Sequence, residues 1–321
     1  MCLTRLLSAQ DPHFSQYFSS PLTFNPAFTG FFDGTDRLAV NYRSQWANVS
    51  TPYVTGTVSF DTRIMRQKIA VNDRWGLGVM GLYDQAGGGI YKNSYLAVST
   101  GFHKGLDAEG NQSIGMGVQV VMARNMVDFG KISFSNQFTS NGFDLSVPSG
   151  ETILNRTNNY FDVNAGLVYQ YRDEDGNSYG FGASIYHLLA PKHSFFNGGN
   201  NNLPRRYTVH AGARLNTGVQ DQVFIGLHVM QQAGNTMASI GAAYGFGLSG
   251  TDAYLYTGLW LRANDALYPY LGLQTQQYNI GLSYDLTHSD LRKANGFTGS
   301  SEVSFQYFFN RNKPRGIPCF F

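Results

Sequence analysis

Residues 112–123 read Gln-Ser-Ile-Gly-Met-Gly-Val-Gln-Val-Val-Met-Ala, and from Ile114 to Met122 every even position is apolar, while Ser113, Gly115, Gly117 and Gln119 are small or polar. Successive side chains of an extended chain point to opposite faces, so this run has one apolar face and one small polar face. An amphipathic helix would repeat its apolar positions at three and four instead. The same two faces return along the chain. Between 37 and 46, Leu38, Val40, Tyr42 and Trp46 oppose Arg37, Asn41, Arg43 and Gln45. Between 53 and 63, Val54, Val58 and Phe60 oppose Thr55, Thr57, Ser59, Asp61 and Arg63. Residues 158–172, 204–215, 277–286 and 301–310 follow the rule, and weaker versions begin near 75, 91, 178, 222, 235, 253 and 267, which makes about fourteen strands.

Composition narrows the solvent these strands face. Charged residues are 14% of the 321, against roughly a quarter in soluble domains, while Gly reaches 37, Phe 24 and Tyr 20. No apolar run approaches the ~20 residues of a spanning helix, and a net charge of +2 does not call for a nucleic-acid partner. The second face, rich in Gly, Ser, Thr and Asn, suits a wet lumen better than a dry sandwich core. Ten residues at ~3.3 Å rise and ~45° tilt span roughly 23 Å, close to the ~25 Å apolar band of such barrels. The expected fold is therefore all-β, a transmembrane antiparallel β-barrel of about 14 strands with an N-terminal plug-like segment. Trp46, Tyr53, Trp75, Tyr83 and Tyr91 fall near predicted strand ends, as an aromatic girdle would, which opposes a soluble sandwich or propeller.

Connection lengths agree. The longest, at 125–157, 191–203 and 287–300, are the fifth, seventh and thirteenth, so all lie on one side of the barrel, opposite the tight hairpin marked by Asp173-Glu174-Asp175-Gly176-Asn177. Residues 1–10 are expected to be the remnant of a secretory signal, with Leu6, Leu7, Ser8 and Ala9 before a cleavage near Gln10 or Asp11. In residues 11–36, Pro12, Pro21, Pro26, Gly30 and Gly34 are expected to break any regular element. Yet Phe14, Tyr17, Phe18, Leu22, Phe24, Phe28, Phe31 and Phe32 make this stretch too aromatic for a free tail, and the lumen is the nearest cavity. The barrel then occupies 37–310, and 311–321 form a basic tail with Arg311, Lys313 and Arg315. Cys2 and Cys319 allow no disulfide framework, and Cys319 reads as a small apolar residue.

Parity places Arg37, Arg43, Arg63, Arg172, Arg206, Arg214 and Arg262 in the lumen with Asp61, Asp162, Asp285 and Glu302, together with His210 between Thr208 and Gly212. These charges are expected to pair in a ladder that stiffens the barrel and holds the N-terminal segment, the alternative being a surface for an acidic ligand or partner segment. His187, His193, His210 and His288 lack a G-x-S-x-G nucleophile or a metal-site spacing, and no helix follows Gly76-Leu77-Gly78 to make a phosphate loop. No enzyme, cofactor or metal is expected. Val303, Phe305, Tyr307 and Phe309 end the last strand as a lipid-facing girdle that also resembles a barrel-assembly signal.

Longer stretches carry a family resemblance. Asp11-Pro12-His13-Phe14-Ser15-Gln16-Tyr17 followed by Asn25-Pro26-Ala27-Phe28-Thr29-Gly30 resembles the opening of the PorP/SprF family, outer-membrane proteins of the Bacteroidetes type IX secretion system. The likeness continues through Leu38–Trp46 (LAVNYRSQW), Ser184–Pro191 (SIYHLLAP), Leu203–Gly212 (LPRRYTVHAG), Gly258–Arg262 (GLWLR), Tyr284-Asp285 and Ser301–Tyr307 (SEVSFQY). Pro318-Cys319-Phe320-Phe321 resembles the family's closing Cys-Pro-Arg-Phe only loosely. The resemblance implies an outer-membrane component that works with other type IX secretion components in export or surface attachment of large proteins such as gliding adhesins. Asn25, Pro26, Ala27 and Gly30 form the plug motif, and Phe129, Phe134, Phe138, Phe143, Phe195, Phe196 and Phe297 are candidate anchors on the long loops. Asn25-Pro26-Ala27 also resembles the hatch of fatty-acid channels, so diffusion of small apolar molecules is the alternative.

Overall fold

The alternation of residues 112–123 becomes a sixteen-residue strand, Gln112–Val127, in which Met116 is 61% exposed and Gln119 only 1%. A computed structural model describes residues 11–47, 51–144, 146–150, 157–193, 201–218, 220–288 and 299–309. Among them fourteen long strands follow one another: β1 Asp36–Gln45, β2 Tyr53–Ile64, β3 Arg74–Ala86, β4 Tyr91–Gly105, β5 Gln112–Val127, β6 Thr157–Arg172 and β7 Ser178–Tyr186 make the first half. The second half is β8 Arg206–Asn216, β9 Gln222–Gln232, β10 Asn235–Leu248, β11 Ala253–Arg262, β12 Ala266–Gln274, β13 Tyr278–Tyr284 and β14 Ser300–Phe309. Every neighbour pair is antiparallel, and β14 returns to β1 with Phe309 opposite Asp36, so the sheet is a closed barrel without an edge.

The longest connections join β5 to β6, β7 to β8 and β13 to β14, all at one end. At the other end the hairpin after β6 is tight, with Asp173 N–H donating to Asn177 O at 3.0 Å and Gly176 at φ 77°. The first long loop contains a two-rung ladder, Phe138–Thr139 against Gly142–Phe143. Outward positions form a continuous apolar surface that includes Val98, Met116, Val118, Val120, Met122, Phe161 and Leu167, all exposed. In water that area would drive aggregation, whereas lipid is its natural solvent.

Two sequence expectations need correction. Pro21 and Pro26 start short helical turns, Pro21–Phe24 and Pro26–Phe28, because a fixed φ near −65° suits the first helical position and the missing N–H is one a helix start does not use. The inward face is also not uniformly small. Phe224, Tyr256, Trp260 and Tyr268 on β9, β11 and β12 are buried and pack as one aromatic cluster.

Candidate functional site

Asp11 lies at the long-loop end of the barrel, where its N–H donates to Gln232 Oε1 at 2.9 Å and its carboxylate meets Arg206 Nη1 at 3.1 Å. Twenty-two residues later Asp33 faces Arg74 at the tight-turn end, and Asp36 opens β1 there. The stretch between them passes through the interior of the barrel from one end to the other. Its main-chain carbonyls find side chains of the inward faces: Ser19 O accepts from Gln306, Leu22 O from Gln119, Thr23 O from Arg206, Phe24 O from Ser184 and Phe28 O from Arg37, at 3.0–3.2 Å. A non-regular chain inside a protein must satisfy its peptide groups in some such way, and these inward polar residues provide the partners.

The path is set by glycine. Gly76, Gly101, Gly117 and Gly166 stand opposite one another on β3, β4, β5 and β6, which makes a row of four adjacent inward positions with no side chain. A Cβ at Gly76 would collide with the backbone of Gly30, one at Gly101 with Thr29 O, one at Gly117 with Pro26 O, and one at Gly166 with the Asn25 side chain. The Asn25–Gly30 turn therefore lies directly on the sheet. Asn25 Oδ1 accepts from Ala27 N–H at 2.9 Å, which closes the turn, and its Nδ2 lies 3.0 Å from His210 Nε2. Gly30 adopts φ 71° and donates its N–H to Asp61 Oδ2 at 2.8 Å. All four residues of the plug motif thus meet the inward face.

The charges read from parity are inward, and most are paired. Arg37 makes a two-pronged contact with Asp61, Nε at 3.0 Å from Oδ1 and Nη2 at 2.8 Å from Oδ2. At the loop end Arg43 and Arg262 converge on Asp285, and Arg262 Nη1 also donates to Ser15 Oγ at 3.1 Å. Glu302 receives the N–H groups of Ser15 at 2.7 Å and Gln16 at 3.0 Å. Arg206 sits over the Tyr186 ring at 3.9 Å while holding Asp11. The ladder breaks at the turn end: Arg214 makes no ion pair with a described residue and donates to Ser178 Oγ at 3.3 Å, and Arg63 donates to Gly34 O at 3.3 Å.

Sequence reasoning missed the role of His187. It follows β7 at φ 61°, with Nδ1 2.5 Å from Asp162 Oδ2 and Nε2 2.7 Å from Asp11 Oδ2. Burial opposes its protonation, but the Asp11 carboxylate and the two hydrogen bonds outweigh burial and raise its pKa from 6.5 to about 9. The only earlier signal was that Asp11 and His187 both fall in the quoted family-like stretches. Opposite the glycine row, Phe18 packs on Trp260 and Tyr270 with ring centroids 5.3 Å and 5.2 Å away, so the segment has a polar, flat side and an aromatic side.

On the long loops, Phe129 and Phe134 stack at 6.4 Å and Phe138 and Phe143 pair at 5.2 Å, the latter two exposed. Phe195, Phe196 and Phe297, the suspected signal remnant and the basic tail lie outside the described residues. Among the described residues no group of three or more His, Cys, Asp or Glu could hold a metal ion.

A closed antiparallel barrel with an apolar exterior and a polar, charge-laced interior defines a membrane β-barrel, and its fold and lineage support an outer-membrane location. Residues 6–307 match the family described as type IX secretion system membrane protein PorP/SprF, and the chain belongs to that family. Family and fold point to a non-enzymatic membrane component with a role in type IX secretion. Among solved structures, the toluene transporter TodX of P. putida is similar at TM-score 0.52 and 10% identity, covering 92% of this chain and 95% of that one. A FadL homologue of Pseudomonas aeruginosa is similar at TM-score 0.50 and 10% identity, covering 92% and 94%. At such identity these likenesses speak to the barrel fold. No curated protein matches the sequence.

Proposed function

We propose that this chain is a sealed outer-membrane barrel that docks partner proteins during type IX secretion, with residues 11–36 as its plug. The observation that carries the reading is the continuous path of the N-terminal segment, whose backbone is bonded to inward side chains from Arg206 and Glu302 at the loop end to Asp61 at the turn end. Such an interior leaves transport to other components and gives this barrel its work at its two mouths. The long loops, with Phe129, Phe134, Phe138 and Phe143, are the surfaces for exported or surface-attached proteins, gliding adhesins included. The tight-turn end meets periplasmic components, and the apolar belt meets outer-membrane lipid.

The test is a gene deletion. Export or surface attachment of one or a few large proteins is expected to stop with general permeability unchanged, and the tagged barrel is expected to co-purify with other type IX components. TodX, a toluene transporter, shares the fold, and its activity is the competing reading. A deletion strain that secretes every substrate normally while losing uptake of an apolar nutrient would replace docking with diffusion.

A further inference from the structure

The outward face of β5 is apolar from Ile114 through Met122 and then turns cationic at Arg124. At ~3.3 Å per residue and ~45° tilt, the ten residues from Ile114 to Arg124 climb roughly 23 Å, which puts Arg124 at the loop-side edge of the ~25 Å apolar band. Register extends that level sideways. Tyr83, Ser94, Arg124 and Asn159 stand opposite one another on β3, β4, β5 and β6, so one outward row carries an aromatic ring, a hydroxyl, a guanidinium and an amide. One row higher Lys92 stands opposite Met126, which makes it a diagonal neighbour of Arg124 on the same face, ~7–8 Å away. A third cation arrives from the loop after β5. Lys131 is exposed and donates to Gly88 O at 2.8 Å, and its Nζ lies 3.1 Å, with Lys92 Cε 3.2 Å, from the point that a Gly89 Cβ would take. The two lysines therefore converge over Gly87–Gly89, a turn whose glycines have φ of 58°, 66° and 83°. The stretch 124–131 contributes one carboxylate, Asp128, which leaves the group net cationic.

We propose that this patch binds the phosphate of an outer-leaflet lipid headgroup. A cation is costly in hydrocarbon but useful where the headgroups begin, and basic clusters at that depth recognise phosphate. Lys131 keeps two ammonium protons after bonding Gly88 O, Lys92 brings three, and the Arg124 fork can take two phosphate oxygens at once. Ser94 and Asn159 add neutral donors, and Tyr83 supplies the amphipathic ring that marks this depth in membrane barrels. A free phosphate ion would use the same charges but not the wall below them. Leu96, Met122 and Phe161 form the next outward row towards the bilayer centre, and all three are exposed, so acyl chains find an apolar surface directly beneath the cations. That continuity commits the site to a lipid. Long connections face outward in such barrels, so the lipid belongs to the outer leaflet, whose phosphorylated members are glycolipids. The site rests on that orientation of the barrel and not on what the barrel docks.

The test uses the full chain in detergent and native mass spectrometry, with diphosphoryl lipid A as the probe. Saturable retention is expected, weakened ~10-fold or more when the phosphates are removed from the lipid, and by a similar factor when Lys92→Gln and Arg124→Gln are combined. Lys104→Gln removes an outward cation at the turn end, where Lys104 pairs with Asp73 at 2.9 Å, and is expected to leave retention unchanged. Inorganic phosphate is expected to compete only at concentrations far above those of the lipid. Heat-modifiable mobility on gels checks that each variant keeps its barrel, and the dephosphorylated lipid tests the unaltered chain even where a variant fails to fold. Absence of saturable retention, equal retention of dephosphorylated lipid A, equal retention by the folded double variant, or the same loss in Lys104→Gln would overturn the proposal. Inorganic phosphate binding as tightly as lipid A would overturn the lipid assignment and leave an ion site. Normal lipid retention by a chain whose deletion has no secretion phenotype would keep this site and remove the docking reading instead.

Discussion

The Asp11 carboxylate lies 2.7 Å from Nε2 of His187, whose Nδ1 is 2.5 Å from Asp162, so one imidazole joins the first described residue of the N-terminal segment to β6. Both ring nitrogens face carboxylates, which requires both to carry protons, and the cation is stabilised accordingly. Because the folded pKa of about 9 is raised above 6.5, the contribution of His187 is complete below pH 6.5 and is lost as pH rises through about 9. Limited proteolysis between pH 6 and 10 is expected to show faster cleavage near residue 11 as pH passes ~9, and His187→Gln is expected to remove that dependence. Cleavage rates without a step in this window would show that the imidazolium does not hold the segment.

Gly117 has Pro26 O where a Cβ would be. Gly117→Val favours the strand by β-propensity yet removes the floor on which the Asn25–Gly30 turn rests, and it is expected to destabilise by ~1–3 kcal/mol through overpacking. Gly81 has nothing within 4 Å of its added Cβ, and Gly81→Ala serves as the neutral comparison. Denaturant unfolding in lipid vesicles measures both. Equal stabilities for the two variants would mean that the glycine row is not needed to seat the turn.

Val118 is exposed at the centre of β5 and faces lipid, so Val118→Arg is expected to cost ~2–4 kcal/mol in vesicles, where Val118→Leu costs almost nothing. Its neighbour is no tolerant control, although alternation alone suggests one. Gln119 donates to Leu22 O at 3.2 Å and accepts from Asn164 Nδ2 at 2.8 Å, so Gln119→Arg is expected to unseat the segment and raise its protease sensitivity. A Val118→Arg variant as stable as the parent would place β5 outside the bilayer.

How far the sequence carries this structure depends on the range of the interaction. The period of two is local, and it located β5 and the weaker strands starting at Arg74, Tyr91, Ser178 and Gln222 within a residue or so. The loop-side parity follows from strand count alone. The pairing of Arg37 with Asp61 was legible because both are inward on neighbouring strands. What Asp11 touches was not legible, since its partners His187, Arg206 and Gln232 come from three distant places in the chain. The glycine row is also invisible to pattern, because Gly76, Gly101, Gly117 and Gly166 become neighbours only through register. Trp260 and Tyr268 depart from the small inward face because Phe18 supplies an aromatic surface for them to pack against, directly for Trp260.

The proposed plug makes the most exposed prediction. A fourteen-stranded barrel lies between small barrels filled by side chains and open porins, so its conductance depends on what occupies the lumen. Here Leu22, Asn25, Ala27 and Thr29 are fully buried, and backbone carbonyls from Ser19 to Phe28 are bonded to the wall. The intact protein in a planar bilayer is therefore expected to pass little current. Deleting residues 11–34 is expected to open a steady conductance, because the arginines and glutamines left behind prefer water to vacancy. Removing the segment also unpairs Glu302 from the Ser15 and Gln16 amides, and a barrel that fails to close would mimic a leak. Asn25→Ala offers a gentler arm, since it removes the turn-closing acceptor and the contact with His210 while leaving every strand intact, at a cost of ~1–3 kcal/mol to the seat. It is expected to give brief openings of the deletion's size on a closed baseline. A large steady conductance in the intact protein, or deletion and intact channels that conduct alike, would show that the segment does not seal the lumen.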